Sequence, residues 1–287
     1  MNNNIFMMNK VNQISMILPE FCSPFLLETG TEMALSTRLA YARELQSFFE
    51  FMIGNNPIFC ELELQDIQLS HVEQITSQDI SRYLTIYKDK GHKDRTVARK
   101  KAALSRFFSY LVDNRMIKYN PVAAAVRVKI HKSDEVVHIG FDEQNKLLDA
   151  VDSGGALDPN KQKYHDRYRS RDLALITLLL DTGIRVSELQ GINISDIDFN
   201  QCGVMVLRKG GDKQTVYFSD EVKVLIMDYI EERKAKGTLL SDSEPLFTTS
   251  KGRRLSVRAI EVLVKKYTTA ALPGKGSALS PDRKSVV

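Results

Sequence analysis

Apolar residues over roughly the first 120 positions recur at the three- and four-residue spacing of helices packed on one another. Tyr41, Leu45, Phe48, Phe49 and Met52 form one stripe, with Ser36 as its expected cap and Gly54-Asn55-Asn56-Pro57 as its stop. Ile80, Tyr83, Leu84 and Tyr87 form a second, capped by Thr76 or Ser77 and terminated by Gly91. A third helix is predicted from about Asp94 to Asp113. Val97, Leu104, Phe107, Phe108, Leu111 and Val112 make its apolar side. Arg95, Arg99, Lys100 and Arg106 lie largely off that stripe, which gives the basic residues a face of their own. Asn120-Pro121 ends this region, and residues 1–19 are expected as an N-terminal tail.

Residues 121–140 lack helical periodicity and look extended, which places a domain boundary near residue 130. Beyond it, helical patterns frame a β-rich centre. Asp172 opens a buried helix, Leu173 to Leu180, closed by Gly183; the polar stretch 152–171 before it is expected as an insertion loop. In CGVMVLRKGGDKQTVYF, Val204, Val206 and Arg208 alternate with their neighbours. Gly210-Gly211-Asp212 makes a turn and Thr215 to Phe218 is β-prone, so the segment predicts a hairpin. Ser219 begins a helix with Val222, Leu225, Ile226, Tyr229 and Ile230 inside, and Ser256 begins another with Val257, Ile260, Val264 and Tyr267 inside. The expected fold is therefore mainly α with a small antiparallel β-sheet, an α+β arrangement.

Charge sharpens the picture by segment. Residues 1–87 hold four basic and ten acidic side chains, net −6, whereas residues 88–118 hold ten basic against three acidic, net +7. So local a cationic band is a candidate footprint for a polyanion, although charge alone favours a solvated helix face. The three cysteines, Cys22, Cys60 and Cys202, are far apart and lack metal-ligand spacing, which fits a reducing compartment and argues against a disulfide framework or a zinc site. The start, MNNNIFMMNK, has no signal-peptide pattern, and Asp181 interrupts the longest apolar run. A soluble, cytoplasmic protein is expected, with no membrane partner.

The candidate chemistry lies in LLLDTGIRVSELQGINISDID and the hairpin after it. Arg185 sits in the turn before a new helix, where a guanidinium and helix N-terminal N–H groups together favour a phosphate. Twenty-four residues later, Lys209 stands at a hairpin tip. On physical grounds alone the two are more simply a helix-start ion pair and an ordinary turn. Thr182-Gly183-Ile184-Arg185-Val186-Ser187-Glu188-Leu189, the Ser195-Asp196-Ile197-Asp198 stretch and Lys209-Gly210 nevertheless resemble the first catalytic box of tyrosine recombinases, the phage-type integrases, most closely the Xer-like and conjugative-transposon members. Upstream, Thr96-Val97-Ala98-Arg99, Ala103 to Leu111 and Asn120-Pro121 resemble the core-binding domain of the same family. The resemblance covers roughly residues 20–281 in the right order.

That resemblance implies a helical, SAM-like core-binding domain at 20–125, a linker at 126–140 and an incomplete catalytic domain at 141–287. It implies double-stranded DNA as the partner, contacted by Arg95, Thr96, Arg99, Lys100 and Arg106, and tetramers on paired sites in intact members. The implied chemistry is phosphoryl transfer without metal or cofactor, through a 3′-phosphotyrosyl link. Arg185 would hold non-bridging oxygens and Lys209 would protonate the leaving 5′-oxygen. Glu188 matches a position that supports the arginine, and Asp196 or Asp198 is expected to brace the turn into the sheet.

The pattern breaks after Leu279-Ser280-Pro281. Asp282 stands where the family has histidine and Ser285 where it has a second arginine, while the His92-to-Arg95 H-x-x-R lies upstream of the box as a decoy. None of the ten tyrosines has the nucleophile's context, and Tyr267 is most simply core. The final DRKSVV also matches the translation of a common sequencing-adapter string, so the native sequence is expected to end near Pro281. Three readings follow: a site-specific recombinase whose activity resides in the full-length product, a truncated DNA-binding protein or inhibitor, and a helical transcription regulator, which the box argues against.

Overall fold

Hydroxyl side chains open three helices. Thr76 accepts from the Asp79 N–H at 3.3 Å, Ser219 from Val222 at 3.4 Å and Ser256 from Ala259 at 3.1 Å. The computed structural model describes residues 3–128, 139–208, 210–237, 241 and 243–274. The chain divides into two units, residues 1–133 and 134–287.

The first unit is all helix: α1 (Asn3–Ile17), α2 (Cys22–Glu32), α3 (Leu35–Asn55), α4 (Leu69–Val72), α5 (Ser77–Asp89) and α6 (Asp94–Asp113). Its core is aromatic. Phe48 meets Tyr83 edge-on at 5.3 Å, and Phe25 meets Phe107 at 5.3 Å, an arrangement that matches ring edges to ring faces. The described part of the expected tail at 1–19 packs into the unit: α1 lies on α3, and Val11, Ile14 and Leu18 are buried in this core. Ser36 does not cap α3, which starts one residue earlier, after Ala34, without a side-chain cap. After α6, Asn120 donates to the Ser105 carbonyl (3.1 Å) and Ser109 Oγ (3.0 Å), which holds Val122 and Ala125 in the core.

The second unit contains α7 (Phe141–Ser153), α8 (Pro159–Gln162), α9 (His165–Thr182), α10 (Val186–Gly191), β1 (Ile197–Asp198), β2 (Gly203–Leu207), β3 (Lys213–Tyr217), α11 (Asp220–Ala235) and α12 (Val257–Ala271). The three strands form an antiparallel sheet in the order β1-β2-β3, with Val204 opposite Val216 and Leu207 opposite Lys213. The chain is thus mainly α with one small antiparallel sheet. Helix α9 lies between α7 and α11 and buries Ala174, Leu175, Leu178 and Leu179.

The stretch 152–171 is less of a loop than its polarity suggests, because α9 begins at His165. The His165 ring is buried and its Nε2 lies 2.7 Å from the Val151 carbonyl. Gly154 closes α7 with φ +68°, and a Cβ there would stand 2.7 Å from the His165 ring, so both backbone and space require glycine. Asp172, far from opening the helix, is buried two turns inside it. It pairs with Arg171 at 2.6 Å and accepts from the Tyr267 hydroxyl at 3.0 Å, which ties α9 to α12. Among the described residues no helix is long and apolar enough to cross a membrane.

Candidate functional site

Arg185 follows directly from how α9 ends. Gly183 adopts φ +59° at the C-terminus of that helix, Ile184 is buried beneath the turn, and Arg185 becomes the residue before α10. Glu188, one turn into α10, reaches back. Its Oε2 accepts the Arg185 backbone N–H at 2.9 Å and its Oε1 accepts Arg185 Nη1 at 2.8 Å. The Glu188 side chain is 3 % exposed, whereas that of Arg185 is 38 % exposed. Backbone and head group of the arginine are therefore fixed together while the guanidinium still faces outward. α10 spans only six residues, and Glu188 takes the N–H of Arg185, the residue before it.

A second arginine shares the carboxylate. Arg208 donates Nη1 to Glu188 Oε2 at 2.7 Å and Nε to Gln214 Oε1 at 2.8 Å. Its backbone starts the turn between β2 and β3, donating to the Asp212 carbonyl at 2.8 Å and accepting from Gly211 N–H at 3.0 Å. The alternation puts Arg208 in register with Val204 and Val206, both buried, but the sequence analysis does not name it as a site residue. Burial pushes the Glu188 carboxyl up, yet the Arg185 hydrogen bonds and the Arg208 charge outweigh it and hold the group below its ordinary range. Asp196 and Asp198 serve the turns around β1: Asp196 accepts from Asn193 N–H at 2.8 Å and Asp198 from Asn200 N–H at 2.9 Å. Arg254 finishes α10 from the other end by donating to the Gln190 and Ile192 carbonyls. Lys209, and with it Asp282 and Ser285, lies outside the described residues.

In the first unit, Arg95, Arg99 and Arg106 are exposed on α6 and Thr96 is half-buried. Their spacing of four and seven residues lines the three arginines along one helix face. Lys100 departs from the expected basic face. It is buried, with Nζ 2.8 Å from Glu44 Oε2, 3.2 Å from the Tyr83 hydroxyl and 3.9 Å from the centre of the Tyr87 ring. The physical reason is its register: Lys100 precedes Leu104, Phe107 and Leu111 by four, seven and eleven residues, so it occupies the core stripe and survives there because Glu44 neutralises it. Lys101 turns inward too, donating to the Ala125 and Val126 carbonyls at 3.0 Å.

Comparison with known proteins meets this geometry at both units. Residues 26–115 match the model of the phage integrase N-terminal SAM-like domain, and residues 138–272 match that of the phage integrase family. The tyrosine recombinase XerC of Caldanaerobacter subterraneus subsp. tengcongensis is 30% identical over 268 residues, spanning 90% of this chain and 70% of that protein. The chain belongs to the phage integrase family. Among other integrase-family relatives, the tyrosine recombinase XerS of Lactococcus lactis subsp. cremoris is 25% identical over 92% of this chain and 82% of its own length. The fold of this integrase-family chain matches a crystal structure of the XerH site-specific recombinase bound to a palindromic difH substrate. That match has a TM-score of 0.67 and 20% identity, covering all of this chain and 77% of that one.

Proposed function

We propose that this chain binds double-stranded DNA and serves site-specific recombination, with Arg185 holding the phosphate at which a strand is cut and rejoined. The observation that carries the reading is Arg185 itself. Its backbone and Nη1 are fixed by a buried carboxylate, while its Nε and Nη2 have no partner among the described residues. A pre-oriented fork with donors to spare suits the non-bridging oxygens of a crowded, charged transition state. In the strand-exchange chemistry of the family, a tyrosine oxygen bonds to phosphorus as the bond to the 5′-oxygen breaks. Lys209, one residue beyond Arg208, would supply the proton that the leaving oxygen requires. The exposed arginines of α6, with Thr96, would track the backbone of the same duplex and contribute position more than sequence choice. Lys100 has no part in that contact, since its ammonium is spent inside the core.

None of the described tyrosines is proposed as nucleophile; Tyr267, for one, is buried and bonded to Asp172. A second reading, that these residues bind DNA without cutting it, is separated from the first by one experiment. The chain is incubated with duplex DNA and, in parallel, with a nicked suicide substrate, and binding and covalent adducts are scored together. Salt-sensitive binding without an adduct is the expected result, an adduct would overturn the exclusion of the described tyrosines and select the first reading, and failure to bind at low salt rejects both.

A further inference from the structure

The arrangement around Glu188 contains more guanidinium than the reading above uses. Two arginines from separate elements, one leading into α10 and one at the root of the hairpin turn, converge on a single buried carboxylate. Two cations on one anion leave a net charge of +1 at a point where the carboxylate cannot swing away to solvent. Both head groups keep unused donors. Arg185 retains Nε and Nη2, and Arg208 retains Nη2, each without a partner among the described residues. The two Nη1 atoms are joined through one carboxylate and so stand at most about 8 Å apart, a span that a single phosphate with an acceptor oxygen for each arginine can bridge. Gln214 accepts from Arg208 Nε across the hairpin, a second hold on this fork besides Glu188.

We infer that Arg208 is a second phosphate-binding guanidinium, paired with Arg185 across Glu188 to grip the same DNA phosphate. This inference rests on the proposed role of Arg185. Glu188 then does two jobs. It sets the spacing of the forks, and it cancels one of the two charges, which keeps them from repelling each other when no phosphate is present. The arrangement also links the hairpin root, and with it the chain position next to Lys209, to the residue that opens α10.

The test uses the full chain and a short blunt duplex of arbitrary sequence, with affinity measured by fluorescence anisotropy across a salt series. Arg185→Gln, Arg208→Gln, their combination, and Arg95→Gln with Arg99→Gln as a remote control are compared. Each central variant is expected to weaken binding about tenfold and to lower the salt slope by about one. The combination should lose less than the product of the two, because both forks hold one phosphate. If Arg208→Gln keeps the parent's affinity and slope while Arg185→Gln lowers both, Arg208 only braces the hairpin and the inference falls with the proposed function intact. If neither central variant changes binding while the remote control does, the reading of Arg185 fails and takes this inference with it. Should Arg208→Gln not fold, Arg208→Lys decides. An ammonium can stay on Glu188 but has no second fixed prong, so folded protein with several-fold weaker binding supports the inference and parental affinity overturns it.

Discussion

Glu44 and Glu188 are both buried carboxylates that hold cations, and they hold them to opposite ends. In the first unit, Lys100 is 11 % exposed and surrounded by Glu44, Tyr83 and the Tyr87 ring, so its charge is closed into the core. In the second, Glu188 is the more buried of the two carboxylates, yet its partners Arg185 and Arg208 are 38 % and 19 % exposed and carry donors beyond those it uses. The difference lies in the cation. A lysine ammonium is a compact charge that one carboxylate and one hydroxyl can satisfy, whereas a guanidinium has five N–H groups and can serve an internal partner and an external one at once. One pair fastens helices; the other presents charge.

That contrast is most easily broken at Lys100. Lys100→Ala leaves Glu44 buried and unpaired and is expected to cost about 3–5 kcal/mol in a denaturant melt, with DNA affinity per folded molecule unchanged. A loss of affinity without a loss of stability would return Lys100 to the DNA surface. At the other carboxylate, Glu188→Gln should cost about 2 kcal/mol near pH 7, as charge-assisted bonds from both arginines weaken. The sign with pH follows from the depressed carboxyl of Glu188. Its contribution is complete above the unfolded carboxyl range, near pH 4, and disappears as the pH falls through the lower folded value. Melting temperatures of parent and variant, apart at neutrality, should therefore converge in acid.

Smaller effects sharpen the comparison further. Replacing the whole internal pair by Lys100→Met with Glu44→Leu should recover stability to within about 1 kcal/mol of the parent, the residual reflecting the acceptor that the Tyr83 hydroxyl loses. Arg99→Ala on the exposed face of α6 should shift stability by no more than about 0.5 kcal/mol while lowering the salt slope of duplex binding.

Where local chemistry was decisive, the sequence was readable. The bounds of α6, the caps Ser219 and Ser256, the hairpin and the Arg185–Glu188 pairing are all written in spacing and residue type over a few positions. The failures share a cause. Lys100 falls with the basic face when the stripe is read from Val97, although its distance from Leu104, Phe107 and Leu111 marks a core position; what the local pattern lacks is Glu44, 56 residues away. Helix α1 carries apolar residues around its whole circumference, so no stripe announces it, and its burial depends on α3. The opening turns of α9 are polar because they project from the core, and only the buried His165 fixes their start. Arg208 alternates with Val204 and Val206, but its partner lies 20 residues earlier on another element, out of reach of a local pattern.

The Asp172–Tyr267 hydrogen bond has a consequence for synthesis on the ribosome. Its two residues are 95 positions apart, so at ordinary translation rates α9 waits about 5–20 s for the strand of contacts that α12 completes. The first unit is complete before α9 emerges, although within it Phe25 waits 82 positions for Phe107. While α12 is still to come, the run from Leu173 to Leu180 is a nascent segment without its final cover, and a chaperone that shields apolar helices would find a client there.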